Sequence, residues 1–178
     1  MKLKRKSKYL SLLLRHDPDR EQLDMDANGW VPVNQILRAL RCSSNDLDII
    51  VTKDEKGRFI YNETKELVRA TQGHSIPVDL SLHEIRPPKY LYHGTDINNI
   101  CSIEKHGIKR MKRNHIHLSK SSDDAFNVGK RHGKPVVFII DALSMYNDGI
   151  KFYRSENNIF LTDYISPQYI LNHLNQQD

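Results

Sequence analysis

Pro87 and Pro88 stand side by side near the midpoint of the chain, just after Ile85-Arg86. Neither proline has an N–H to donate, and each restrains the residue before it to extended backbone, so no helix can run through this point. The 178 residues suffice for one large core or two small ones. A stiff connector at 85–89 predicts two: one domain over 1–84 and a second over 90–178.

In the first half, Leu10, Leu13 and Leu14 fall on one face of a helix that Ser7 can cap and that Pro18 must stop. Asn28-Gly29 predicts a turn and Trp30-Val31 a short extended piece. Val33, Ile36, Leu37 and Leu40 repeat at the spacing of an amphipathic helix. Leu47, Ile50 and Val51 mark a third helix, capped by Ser43, Ser44 or Asn45. After the charged turn Lys53 to Gly57, Phe59-Ile60-Tyr61 and Leu67-Val68-Arg69 read as a hairpin. Three helices ending in a hairpin is a winged-helix arrangement, which serves nucleic-acid and protein contacts alike.

Lys+Arg exceed Asp+Glu by 27 to 22, giving a net charge of +5, compatible with a polyanionic partner without requiring one. Cys42 and Cys101, the only cysteines, lie far apart and form neither a disulfide framework nor a zinc knuckle. A reducing cytoplasm fits this usage. Lys2, Lys4, Arg5, Lys6 and Lys8 ahead of Leu10 to Leu14 resemble a signal peptide, but Arg15 and His16 interrupt the apolar run. No segment approaches the roughly 20 apolar residues of a membrane span, so no membrane association is expected.

Between the halves lies Val68-Arg69-Ala70-Thr71-Gln72-Gly73-His74-Ser75. A planar guanidinium, an amide, an imidazole, two hydroxyls and a glycine that lets backbone N–H groups approach suit the oxygens of a phosphate monoester. A polar loop after a strand is the plainer explanation of the same residues. Arg15 and His16 likewise sit where basic side chains compensate a helix C-terminus.

In the second half, Lys89 to Thr95 reads as a strand running into a tight turn at His93-Gly94-Thr95. A helix follows with Ile97, Ile100, Cys101 and Ile103 inward and Gly107 as its stop. His115-Ile116-His117-Leu118-Ser119 alternates like a strand, placing His115 and His117 on one face as part of a polar pocket wall. Without a third ligand at recognisable spacing they do not specify a metal. Ser121 to Asp124 caps a helix that stops between Gly129 and Gly133, leaving Arg131 and His132 near its end, where charge compensation again suffices to explain them. Val136 to Ile140 reads as a buried strand, Phe152 to Thr162 as a hairpin, and Tyr169-Ile170-Leu171 as a last strand. No Gly-x-Gly-x-x-Gly or Walker sequence occurs.

Taken together, Leu10-Ser11-x-x-Leu14-Arg15-His16, Leu23-x-x-Asp26-x-x-Gly29-Trp30-Val31, Val68-Arg69-Ala70-x-Gln72-Gly73-His74-Ser75, Tyr92-His93-Gly94-Thr95, His117-Leu118-Ser119 and Val128-Gly129-x-Arg131-His132-Gly133 resemble the RNA (tRNA) 2′-phosphotransferase family. The motifs occur in the family's order from about residue 7 to 165. The resemblance implies an α+β chain with an N-terminal winged-helix RNA-binding lobe and a mostly β, ADP-ribosyltransferase-like NAD-binding lobe. It implies an enzyme that removes an internal 2′-phosphate from RNA, of the tRNA splice-junction type, and consumes NAD as co-substrate without a metal. The route passes through a phospho-ADP-ribosylated RNA and gives 2′-OH RNA, nicotinamide and ADP-ribose 1″,2″-cyclic phosphate.

The family's catalytic set carries over onto Arg15, His16, Arg69 and Arg131. His16 is left with two roles, binding the phosphate or moving a proton. Gln72, Gly73, His74 and Ser75 fall to the RNA phosphate, and His93, Gly94, Thr95, His117, Leu118 and Ser119 to NAD. Protein-modifying relatives carry a catalytic glutamate where this chain has Asn158-Ile159-Phe160, with Glu156 nearby. A cytoplasmic monomer is expected. The alternatives are a mono-ADP-ribosyltransferase acting on nucleic-acid terminal phosphates or protein, and a non-catalytic winged-helix binder.

Overall fold

A computed structural model describes residues 3–175, so Lys2 lies outside the described residues. The chain is mixed α and β with small antiparallel sheets, and it divides into two compact units. The first comprises the residues up to Leu82 together with Lys112–Asn114; the second comprises His83–Met111 and the chain from His115 onward.

The first unit is built on α1 (Leu3–Arg15), α2 (Val33–Leu40) and α3 (Ser44–Thr52). These accompany a sheet of β1 (Val31–Pro32), β3 (Leu67–Ala70) and β2 (Phe59–Tyr61), in the order β1-β3-β2. Leu10, Leu13 and Leu14 of α1 are fully buried and share a core with Ile36, Leu47, Phe59 and Val68. Each such leucine contributes about 2 kcal/mol. The expected start of α1 at Ser7 is corrected: the helix begins by Leu3, and the Ser7 hydroxyl accepts from Arg58 Nη2 at 3.2 Å. Buried leucines later in the helix carry its first turns along, without a cap at Ser7. Ser43 is the cap of α3, accepting from the Asp46 N–H. The turn at 53–57 is less polar in effect than its composition suggests. The Asp54 carboxylate is nearly buried and clamps Arg58, taking its backbone N–H at 2.7 Å and its guanidinium at 2.8 Å.

In the second unit, β4 (Tyr90–Asp96), β7 (Pro135–Asp141) and β11 (Ile170–Asn175) form one sheet with β7 central. A second sheet runs β6 (Ile116–Leu118), β9 (Phe160–Thr162), β8 (Tyr153–Arg154). β5 (Ile108–Lys109) and β10 (Tyr164–Ile165) make a two-stranded pair too short to read from the sequence. The helices are α4 (Ile100–His106), α5 (Ser122–Gly129) and α6 (Ala142–Asn147). Val136, Val137, Phe138 and Ile140 are fully buried, as a continuous apolar run on a central strand requires.

Two further expectations are corrected here. β4 does not turn at His93-Gly94-Thr95 but continues to Asp96, with Gly94 opposite Val137. The glycine is needed for a different reason: a Cβ there would stand 1.7 Å from the carbonyl oxygen of Ala125, where α5 crosses the strand. Cys101 is exposed rather than inward, since α4 buries only Ile103. Ile85 donates its N–H to Phe152 at 2.8 Å, and Pro87 is buried, so the stretch before the prolines is held against the second unit's β8 region. Among the described residues no helix is long and apolar enough to cross a membrane.

Candidate active site

Arg15 is the last residue of α1 and should be solvated there, yet it is only 8% exposed. The loop after β3 covers it. Ser75 donates its N–H to the Arg15 carbonyl at 2.9 Å, and Gly73 (φ +90°) lies flat on the guanidinium. A Cβ on Gly73 would sit 3.5 Å from Arg15 Cζ. Among the described residues Arg15 Nε and Nη2 are buried without a hydrogen-bond partner. Burial, reinforced by the cations of Arg113 and Arg58 and opposed by Asp54, pulls its pKa down to about 10. A buried guanidinium held among other cations is short of anionic charge.

His16 follows at the surface, its Nδ1 2.8 Å from Ser75 Oγ. Partial desolvation, then Arg15 and Arg113, lower its pKa below the ordinary imidazole value. His74 is 2% exposed, with Nε2 buried and unpartnered among the described residues. Burial, then Arg15, His16 and Arg69, push it down to about 4, so the ring is neutral at physiological pH.

Arg69 leaves β3 beneath the Asn28-Gly29-Trp30 turn and is 9% exposed. Its Nη1 donates to the Asn28 carbonyl at 3.3 Å, and its guanidinium lies 4.4 Å from the Trp30 ring centroid. Asp26 builds that turn, its Oδ1 accepting from the N–H groups of Asn28 and Trp30 at 2.9 Å. Sequence reasoning did not single out Trp30 as a partner of Arg69, although the Asp26-x-x-Gly29-Trp30 spacing carried the signal. Arg113 was missed as well. Its neighbour Asn114 is fixed in the first unit by donating to the carbonyls of His74 and Ile76, each at 3.0 Å. Arg113 acts electrostatically on both Arg15 and His16.

Arg15, His16, Arg69, Gly73, His74 and Ser75 are therefore one cluster in the first unit, and Gln72 lies half-buried in the same loop. The buried Arg15 and Arg69 guanidiniums beside the neutral His74 ring can receive an oxyanion, with bidentate guanidinium geometry setting its direction.

The remaining expected residues belong to the second unit. Tyr92 and Ser119 exchange backbone hydrogen bonds at 2.9 Å, which sets β4 beside the end of β6, and His93 Nδ1 lies 3.2 Å from the His117 carbonyl. Thr95 Oγ1 accepts from Asn99 at 2.9 Å. Leu118 turns its side chain into the core, as does Ile116, and His117 is on the other face. Arg131 is exposed in the turn after α5. That turn is seated on the end of β4, since a Cβ on Gly129 would meet the Thr95 carbonyl oxygen at 2.9 Å and one on Gly133 would meet Asp96 Oδ2 at 1.6 Å. The two glycines of the Val128-to-Gly133 motif let the backbone of this turn close onto Thr95 and Asp96. His115 packs edge-on to Tyr153, with ring centroids 6.1 Å apart. Among the described residues no group of three or more His, Cys, Asp or Glu side chains could hold a metal ion.

Comparison with known proteins matches residues 2–164 to the description "RNA 2′-phosphotransferase, Tpt1 / KptA family". The chain belongs to this family. It is 47% identical over 169 residues to a protein of Flavobacterium johnsoniae, covering 92% of this chain and 93% of that one. It is 44% identical over 171 residues to one of Trichormus variabilis, with 92% and 93% covered. A Hahella chejuensis protein is 44% identical over 174 residues, with 95% and 94% covered. All three carry the name "Probable RNA 2′-phosphotransferase". In this RNA 2′-phosphotransferase family member, both clusters described above lie within the matched residues.

Proposed function

We propose that this chain removes an internal 2′-phosphate from RNA, with NAD as co-substrate. The reading is carried by one observation: Arg15, buried under Gly73 with guanidinium nitrogens lacking partners among the described residues, amid other cations. Core packing does not call for such an arrangement, and a phosphomonoester dianion would relieve it. Family membership supports the same substrate class.

Arg15 and Arg69 hold and neutralise the phosphate, and Trp30 and the Asn28 carbonyl keep Arg69 from swinging away. His16, oriented by Ser75, binds a phosphate oxygen or moves a proton at its exposed ring nitrogen. His74 stays neutral beneath them, adding no charge that would compete for the anion.

The three-helix unit with its three-stranded sheet is read as a winged-helix RNA lobe, and the second unit as an ADP-ribosyltransferase-like lobe. The donor set there fits a dinucleotide: hydroxyls of Thr95 and Ser119 and imidazoles of His93 and His117 for ribose and amide, and the guanidinium of Arg131 for an anion. Bound there, NAD supplies the sugar carbon that takes the phosphate by way of a phospho-ADP-ribosylated RNA, yielding nicotinamide and ADP-ribose 1″,2″-cyclic phosphate.

The test is incubation of the protein with NAD and an oligonucleotide bearing one internal 2′-phosphate, followed by mass spectrometry. Nicotinamide, cyclic phosphate and 2′-OH RNA are expected. An intact 2′-phosphate sinks the reading, and an adduct that accumulates without resolving marks a mono-ADP-ribosyltransferase instead.

A further inference from the structure

We propose that the exposed cationic stripe of α1, Lys4 and Lys8 in line with Arg15, is the track on which the flank of the RNA lies. This rests on the reading above, that a phosphate of that RNA sits at Arg15 and His16.

α1 contains no carboxylate, and its cations crowd its first two turns. That placement opposes the helix dipole, costing about 0.3–1 kcal/mol per cation near the N-terminus. The buried leucines outweigh this cost, so the helix forms, but apart from Lys6 nothing in the fold calls for the charges. A local rule broken without a packing reason points to a ligand. Lys6 is spoken for by Asp46 at 2.7 Å. Lys4 and Lys8 are exposed, and among the described residues neither has a carboxylate partner.

Helical geometry aligns them with the phosphate pocket. Lys4 and Arg15 are eleven residues apart, within about 20° of each other around the axis, and Lys8 falls within about 40° of Lys4. Lys8 and Lys4 precede Arg15 by about 10 Å and 16 Å along the axis. The face is the one turned away from Leu10 and Leu13, so it is open to solvent until the 73–75 loop crosses it at Arg15. Arg58 reaches this side too, touching Ser7, but Asp54 neutralises it, leaving Lys4 and Lys8 as the charges an extended anion would meet. A chain of regularly spaced phosphates whose 2′-phosphate is fixed at Arg15 fits this row. A small phosphate ester would leave it unused.

The experiment compares the unaltered full chain with Lys4→Glu/Lys8→Glu in a salt titration of binding by fluorescence anisotropy. The probes are a 2′-phosphorylated RNA of about ten nucleotides and a dinucleotide carrying the same phosphate. For the long RNA the variant should bind roughly tenfold more weakly at low salt. Its log K against log[salt] slope should be shallower by about 1.4, the value for two single-strand contacts. The dinucleotide should bind both proteins alike. Both side chains are exposed, so the thermal midpoint should stay unchanged, and its measurement beside the titration separates a lost RNA contact from unfolding. Equal affinity and slope for the long RNA would overturn the track. Turnover by the unaltered protein decides the phosphotransferase reading separately. A stripe-dependent affinity with no loss of the 2′-phosphate keeps the track and sinks that reading.

Discussion

His16 Nδ1 and Ser75 Oγ meet at 2.8 Å although 59 residues separate them, and the Ser75 N–H bonds the carbonyl of the residue before His16. The loop after β3 therefore grips the end of α1 twice and sets the imidazole's orientation. Ser75→Ala removes one grip. We expect a roughly tenfold lower single-turnover rate, the scale of one side-chain hydrogen bond, with the fold unchanged. His16→Ala should cost 10² or more, as for loss of a proton-transfer or phosphate-binding group. Rapid quench with 2′-phosphorylated RNA checks both, and circular dichroism checks that α1 survives.

Trp30 restrains Arg69 at 4.4 Å. Trp30→Leu keeps an apolar side chain but removes the ring face, and should lower kcat about fivefold to tenfold, a cation–π contribution on the order of 1 kcal/mol. In a double-mutant cycle with Arg69→Ala the two losses should not add, because Trp30 acts through Arg69. Additive losses would mean that Trp30 contacts the substrate independently.

Gly73→Ala tests the cover over Arg15. The φ of +90° is strained for any residue with a Cβ, costing about 1–2 kcal/mol, while the new methyl would meet the guanidinium in ordinary contact at 3.5 Å, so the strain falls on the loop that covers Arg15. Both a lower thermal midpoint and weaker RNA binding are expected. Arg15→Lys keeps the charge and should restore neither the bidentate geometry nor the rate.

His74 predicts an acid limb in stability. Its folded pKa of about 4 lies below the ordinary 6.5, so between these values the unfolded chain binds more protons. Its contribution is complete above pH 6.5 and is lost as the pH falls toward 4, by about 2–3 kcal/mol at most. His74→Asn should flatten that part of a urea-denaturation profile between pH 4 and 7. An unchanged slope would show that His74 does not charge on unfolding.

In the second unit Gly94→Ala places a methyl 1.7 Å from the Ala125 carbonyl oxygen, a clash with backbone that no rotamer relieves. Loss of soluble protein is expected, or a fall of several kcal/mol in the stability of this unit, before any effect on turnover can be read.

Periodicity made α2, α3, the β2–β3 hairpin and β7 readable, because each buries a regular apolar pattern that few other arrangements satisfy. Arg15, His16, Arg69 and the 72–75 loop were visible only as motifs. Their convergence depends on the Ser75 and Gly73 contacts to α1, which are non-local and leave no periodic trace. Gly94 looked like a turn because a glycine after an aromatic strand usually is one. The helix that crosses it lies some thirty residues further on. Trp30, Arg113 and Asn114 escaped notice because one was absorbed into a strand pattern and the others into a charged loop, and each gains its meaning from a partner distant in sequence.

Asn114 belongs with the first unit, while the residues on both sides of Lys112–Asn114 belong with the second. The path of the backbone therefore visits the first unit twice. A fragment ending at residue 82 would lack the two carbonyl contacts Asn114 supplies to His74 and Ile76, and the Arg113 charge with them. Neither limited proteolysis between the units nor a truncation there can yield an intact first unit. Grafting or swapping that half among relatives would have to transplant the three-residue return as well as the first eighty-odd residues.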